Sequence, residues 1–270
     1  VGEHWWDEPF QQLEVECLED GVVILTLDLP GRRNMMSEPM TASWQRAVAA
    51  VASDGDVRAV VVTGAGSAFC SGGDLSWIDA EPGAPVAQLR SRMAAFYRSW
   101  LAVMDLEVPT IAAVNGAAVG AGLALALACD LRFVALEARL AVPFTQLGLH
   151  PGMATTWSLT QVVGPAIARD LLLTGRAIDG EEAVRLGLAS RALPAERVLN
   201  TAVDTATAIA RTAPVATRLT KAALAGRGPA SIEAALEWEA LAQAVTLGTA
   251  DMREGIAAQR ERRRPRFTGA

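Results

Sequence analysis

The chain is poor in the side chains that most covalent and acid/base chemistry uses. One lysine (Lys221), one tyrosine (Tyr97) and two histidines (His4 and His150) are all it has of those types. That leaves almost no candidate for a Schiff-base lysine or a histidine-paired nucleophile. Its three cysteines, Cys17, Cys70 and Cys129, lack metal-ligand spacing. No metal site or disulfide framework is expected, and an odd number of cysteines fits a reducing, cytoplasmic compartment. The stretch VGEHWWDEPF has neither a basic n-region nor an apolar h-region, so no signal peptide is expected there. The longest apolar run, Ile111 to Cys129, is interrupted by Asn115-Gly116 and Gly120-Ala121-Gly122. It reads as buried strand, turn and helix, not as a membrane span. Net positive charge is also missing: a formal charge of −6 argues against nucleic acid or an anionic membrane as the general partner, with the basic run QRERRRPRF a local exception.

What is present suits one large α/β core. With 270 residues, 51% hydrophobic and 20% charged, the chain can bury a full-sized interior. LEVECLEDGVVILTLDLP is two extended runs around Glu19-Asp20-Gly21, and Ser37 caps a helix through about Ser53 with Met40, Trp44, Val48 and Val51 on one face. RAVVVTG is a β-branched run of the kind buried on both faces. A helical stretch from Pro85 to Leu106 leads to the strand TIAAV, a second glycine loop and a helix to Cys129, after which LRFVA and RLAVP are again strand-like. From Ala154 onward the pattern is helical, with breaks at Gly164-Pro165, Gly175 and Gly187. We divide the chain into a core of residues 1–199 and a helical C-terminal region of residues 200–270.

Two stretches carry the chemistry, GAGSAFCSGGDL (Gly64 to Leu75) and IAAVNGAAVGAGLALALACD (Ile111 to Asp130). Each is a short apolar strand-like run that breaks at glycines and re-enters helix, which leaves backbone N–H groups unpaired at a helix N-terminus. Two such termini facing one another make an oxyanion hole. Neither the second helix nor the loop PFTQLGLHPG carries a carboxylate, so the polarising half of an active site is legible and the acid/base half is not.

The run RAVVVTGAGSAFCSGGDL, then VPTIAAVNGAAVGAGLALALACDLRFVA, then LGLHPG and GLASRALP, resembles the enoyl-CoA hydratase/isomerase (crotonase) superfamily over about Leu13 to Phe267. The resemblance implies a spiral of ββα units with a helical C-terminal region that mediates trimers, often paired into hexamers. It implies a CoA thioester as substrate, with no cofactor, and a place in fatty-acid metabolism. By position the two carbonyl-holding N–H donors are Gly73 and Ala121; Ala68, Ser71, Gly72, Asp74, Leu75 and Gly120 of the same two loops, and Met35 beside Arg32 and Arg33, are then substrate-binding residues. Arg32 and Arg33 lie where the family sets groups against CoA, and Arg262 where a neighbouring subunit often reaches the CoA phosphates. The two glutamates of the hydratase pattern are replaced here by Ala124 and Phe144, and a position that is aspartate in some relatives is Gly152.

Those departures put ordinary hydration in doubt, because a positioned acid or base is worth about 10²- to 10⁴-fold. His150, near the expected pocket, is the candidate proton-transfer group, against the plainer reading of a loop histidine bonded to backbone beside Pro151. Thr145 and Gln146 suit orientation of water, and Glu137 and Asp79 are contributors from neighbouring loops or solvated surface. Asp74 and Asp130 read as structural, and Cys70 as a small buried hydrophobe. Phe144, Leu149, Met153 and Trp157 form an apolar acyl pocket or simply core. The arginine run around Arg262 is either a phosphate contact or a solvated helix end. The expectation is an acyl-CoA-processing lyase or isomerase; the alternative is a non-catalytic acyl-CoA-binding protein on the same fold.

Overall fold

Strand β3 (Ala59–Gly64) is buried along its whole length, as its valine run requires. In the computed structural model, which describes residues 4–74, 76, 83–224 and 231–270, it lies at the middle of a six-stranded sheet. It pairs in parallel with β2 (Val22–Leu27) and β5 (Thr110–Val114). At one edge β1 (Leu13–Cys17) closes an antiparallel hairpin with β2; at the other, β7 (Leu131–Ala135) and β9 (Arg191–Leu193) continue in parallel. A separate three-stranded parallel sheet holds β4 (Ala68–Cys70), β6 (Ala117–Val119) and β8 (Leu140–Ala141). The chain therefore alternates: β3, β5 and β7 enter the large sheet, and the strand following each enters the small one. This is the expected spiral, and every segment that follows a small-sheet strand emerges on one side of it.

Helices fill the faces. Helix α1 (Glu38–Ser53) is capped by Ser37, whose Oγ accepts the Met40 N–H at 3.2 Å, and buries Met40, Trp44, Val48 and Val51 as its period predicts. Helix α2 (Val86–Leu101) is fixed to it by Trp100, which stacks on Trp44 at 5.1 Å between centroids and donates Nε1–H to Thr41 Oγ1 at 3.1 Å. Helix α3 (Ala121–Ala128) is apolar all round and buried at every position, which is possible only in the middle of a core. Helix α4 (Thr155–Thr174) is broken at Gly164, φ 77°, ahead of Pro165, as that dipeptide foretells. The short α5 (Gly180–Arg185) follows, with Asp179 as its N-cap.

Two expectations need correcting. The chain after Ala154 is not all helix: Arg191–Leu193 is a short strand, added because Phe133, Val134 and Ala135 of β7 offer it a free edge. The boundary drawn between residues 199 and 200 falls inside α6 (Ala195–Ala210), whose Val198, Ala202 and Ala206 are fully buried, with the helix packed on β3, β5 and β7. That helix belongs to the core. Beyond it come α7 (Pro214–Leu224), α8 (Ile232–Leu247) and α9 (Ala250–Glu261). Lys221 of α7 is tied to the core: its Nζ lies 2.9 Å from Asp130 Oδ2 and donates to the Val108 carbonyl at 2.8 Å. The same carboxylate oxygen accepts the N–H and hydroxyl of Thr110, so Asp130 is structural. Helix α8, by contrast, has no buried residue, and both Leu236 and Leu241 are 62% exposed.

The thiols give a test of this packing. Burial pushes Cys70 and Cys129 up to about 12, whereas Cys17 is only half-buried and its rise is smaller. Because the thiolate is the reactive form, a disulfide reagent at neutral pH is expected to titrate at most Cys17 in the native protein and all three cysteines after denaturation. The sign of the pH effect follows from the same shifts. Above the ordinary thiol range the unfolded chain has lost protons that the folded chain keeps, so stability is full below that range and declines as pH climbs toward about 12. Chemical denaturation at stepped alkaline pH checks it.

Candidate active site

The loop after β4 and the loop after β6 meet edge to edge. Gly72 has φ 100°, a left-handed conformation that side chains resist, and a β-carbon built there would stand 2.8 Å from the Val119 carbonyl and 3.4 Å from the Ala121 nitrogen. The first loop is held from behind by Met36 N–H to Gly72 O at 2.8 Å and by Ser71 N–H to Arg33 O at 2.9 Å. The second is held by Gly120 N–H to Ala141 O at 2.8 Å. A further contact locks the pair: Gly122 packs so closely on Cys70 that an added β-carbon would fall 2.1 Å from its carbonyl oxygen. Between these anchors the N–H groups of Gly73 and Ala121 donate to no acceptor among the described residues. Ala121 is the first residue of α3, so its N–H also carries the positive end of that helix dipole.

Both donors line a cavity of about 500 Å³. The loop after β8 supplies Phe144, Leu149, His150 and Met153 to its wall, and α2 supplies Met93, Phe96 and Tyr97. Arg32 and Asp74 also line it, 3.9 Å apart. Asp74 Oδ1 is already engaged, accepting the N–H of Ser76 at 2.9 Å and its hydroxyl at 2.6 Å.

The family model for enoyl-CoA hydratase/isomerase matches residues 18–270. The chain belongs to that family. Among its relatives, a Mycobacterium tuberculosis protein named "Probable enoyl-CoA hydratase" is 49% identical over 168 residues, covering 62% of this chain and 64% of its own length. The match thus spans a little under two thirds of that relative. The "1,2-epoxyphenylacetyl-CoA isomerase" of Escherichia coli is 34% identical over 253 residues, covering 93% of this chain and 97% of that one. The crystal structure of an enoyl-CoA hydratase from Bacillus anthracis superposes with a TM-score of 0.90 at 32% identity, covering 96% of this chain and 100% of that one. The crotonase fold that the resemblance implied is the fold found.

Of the residues singled out in the sequence, the cavity wall holds Gly73, Ala121 and His150 together with Arg32, Met35, Ser71, Gly72, Asp74, Gly120, Phe144 and Leu149. Others fall elsewhere. Ala68 is a buried strand residue whose carbonyl accepts Asn34 Nδ2 at 2.8 Å, and Arg33 contributes its backbone oxygen to Ser71 while its side chain is off the wall. Ala124 is buried in α3 away from the cavity, and Arg262 is an exposed residue at the end of α9, φ 55°, also off this chain's cavity. Trp157 is half-exposed and lines a different cavity beside Lys221. Thr145 and Gln146 turn to the C-terminal carbonyls of α4, with Gln146 Nε2 2.7 Å from Thr174 O, so neither orients water at the site. Glu137 is exposed and off the wall; Leu75 and Asp79 lie outside the described residues.

His150 is exposed at the cavity, with Nδ1 2.8 Å from the Pro151 carbonyl. That contact is a hydrogen bond only when Nδ1 carries the proton, which leaves Nε2 as the ring's acceptor. Sequence reasoning missed the wall made by α2. Met93, Phe96, Tyr97 and Trp100 recur at helical spacing, a stripe that reads as core, and only the cavity lining reveals that three of the four face a ligand space.

Proposed function

We propose that the protein binds CoA thioesters in this cavity and polarises the thioester carbonyl through the backbone N–H groups of Gly73 and Ala121. The observation that carries the reading is the pair of unengaged donors on one wall of a ligand-sized cavity. Arg32 supplies charge for the phosphates, while Phe144, Leu149 and Met153 receive the acyl chain. The reaction is one that depends on stabilising an enolate and needs little acid/base help: isomerisation, decarboxylation or a slow hydration. Among the described residues the cavity wall has one carboxylate, Asp74, already bound to Ser76. His150 Nε2 is then the group placed to move a proton. An isomerase among the relatives supports that class of reaction. The assembly is a homotrimer or a pair of trimers, favoured by the apolar, uncovered surface of α8.

The test is mass spectrometry of saturated, 2-enoyl, 3-enoyl and 3-oxo CoA thioesters incubated with the protein in D₂O. Deuterium uptake, a gained water or a lost carboxyl group, each absent without protein, identifies the reaction. Thioesters that bind tightly and return unchanged favour the second reading, a binding protein that kept the pocket without the acids, for which the missing glutamates are the specific evidence. Thioesters that neither bind nor change defeat both. Replacement of His150 by alanine is expected to lower turnover about 10²-fold or more; unchanged turnover removes it from the mechanism.

A further inference from the structure

Tyr97 is the chain's only tyrosine, and its hydroxyl occupies an unusual place. A β-carbon built on Gly152 would lie 2.5 Å from Tyr97 Oη and 2.9 Å from Cζ. The phenol therefore fills the space into which any side chain at position 152 would grow. Both residues are on the cavity wall. Tyr97 Oη makes no hydrogen bond among the described residues, and much of the wall it shares, including Met93, Phe96, Phe144 and Met153, is apolar. Burial alone pushes its ionisation upward, so at neutral pH it is an un-ionised donor and acceptor. The helix that carries it is anchored one turn later by the Trp100–Trp44 stack, so the hydroxyl is held, not swept through solvent.

The hydroxyl is half-buried at the cavity and uncommitted within the protein, so it is available to a polar atom of a bound ligand. Resting on the reading of the cavity as a CoA-thioester site, we propose that Tyr97 is a specificity-determining residue whose hydroxyl hydrogen-bonds an oxygen substituent on the acyl chain, beyond the thioester carbonyl held by Gly73 and Ala121. The substrate class is thus an oxygenated acyl-CoA, hydroxy or oxo, in preference to a plain hydrocarbon chain. Gly152 is the small residue that makes room for this hydroxyl. The remaining titratable groups on the wall, among the described residues, are Arg32, Asp74 and His150.

The experiment is calorimetric titration of the full chain with butyryl-CoA, 3-hydroxybutyryl-CoA and 4-hydroxybutyryl-CoA, each recovered and checked for turnover. In the unaltered protein at least one hydroxylated thioester is expected to bind more tightly than butyryl-CoA. In Tyr97→Phe that preference, measured against butyryl-CoA on the same variant, falls about tenfold, the worth of a neutral hydrogen bond. Gly152→Ala, which presses on the hydroxyl from the opposite side, lowers the same preference with the tyrosine still present. Because one tyrosine gives the whole tyrosinate absorbance, the preferred thioester should also delay that band to higher pH more than butyryl-CoA does. Equal affinity for all three thioesters, or a preference that survives Tyr97→Phe, overturns the assignment and leaves the thioester site standing. Failure of every thioester to bind overturns the site itself.

Discussion

Ala121→Pro is expected to lower kcat/KM by about 10²- to 10³-fold, the worth of one oxyanion donor, with little change in Tm. The substitution is unusually selective because of where Ala121 sits. As the first residue of α3 its N–H has no intrahelical acceptor, and proline's fixed φ suits that position. The residue before it is Gly120, whose missing β-carbon removes the side-chain part of the clash that a proline ring ordinarily makes with its predecessor. Ala121→Gly keeps the N–H and is the control: its turnover should stay close to the starting value. Activity of the proline variant within about threefold of the control would remove Ala121 from the polarising pair.

The second large effect is on stability and activity together. In Gly122→Ala the new β-carbon falls 2.1 Å from Cys70 O, 2.8 Å from its carbonyl carbon and 2.9 Å from its Cβ. Two of those atoms are backbone of a fully buried strand, so neither side can yield by rotating a side chain, and α3 must part from β4. Overpacking of this kind costs about 1–3 kcal/mol, which in a domain this large is several degrees of Tm. The same displacement moves Gly73 away from Ala121, so kcat should fall even at temperatures where the variant is folded. Gly55→Ala is the comparison, since nothing lies within 4 Å of the added carbon. Calorimetry and single-temperature kinetics on the three proteins test the claim, which fails if Gly122→Ala melts and turns over like Gly55→Ala.

The glycine loops were the most legible part of the chain because their demands are local. Gly72, Gly120 and Gly122 must be glycine for reasons of φ or close approach, and the strand-to-helix breaks around them announce that in the sequence. The valine run of β3 was equally plain, since a strand covered on both faces has no polar positions to confuse it. What local pattern could not supply was partnership. Nothing within RAL announces β9, a strand that exists because β7 leaves an edge. Tyr97 carried no signal either, for an aromatic on an apolar helical stripe is ordinarily core, and its exposure to the cavity depends on how α2 crosses a loop more than fifty residues away. Thr145 and Gln146 misled for the same reason: their polarity suits a helix terminus as well as a water site.

The alternation of the chain between two sheets has a consequence for how the molecule acquires its cavity. Strands β4, β6 and β8 become neighbours only after long excursions through the large sheet and its helices, and closing such long loops is slow. The two donors lie on different turns of the spiral, and the wall is completed only by α2 and the loop after β8. A nascent or partly refolded chain therefore has strands and helices before it has any place for a ligand. Binding capacity should return only with the final cooperative step, which makes a bound thioester a ligand of the finished fold alone, adding to its stability in proportion to the logarithm of the ligand concentration.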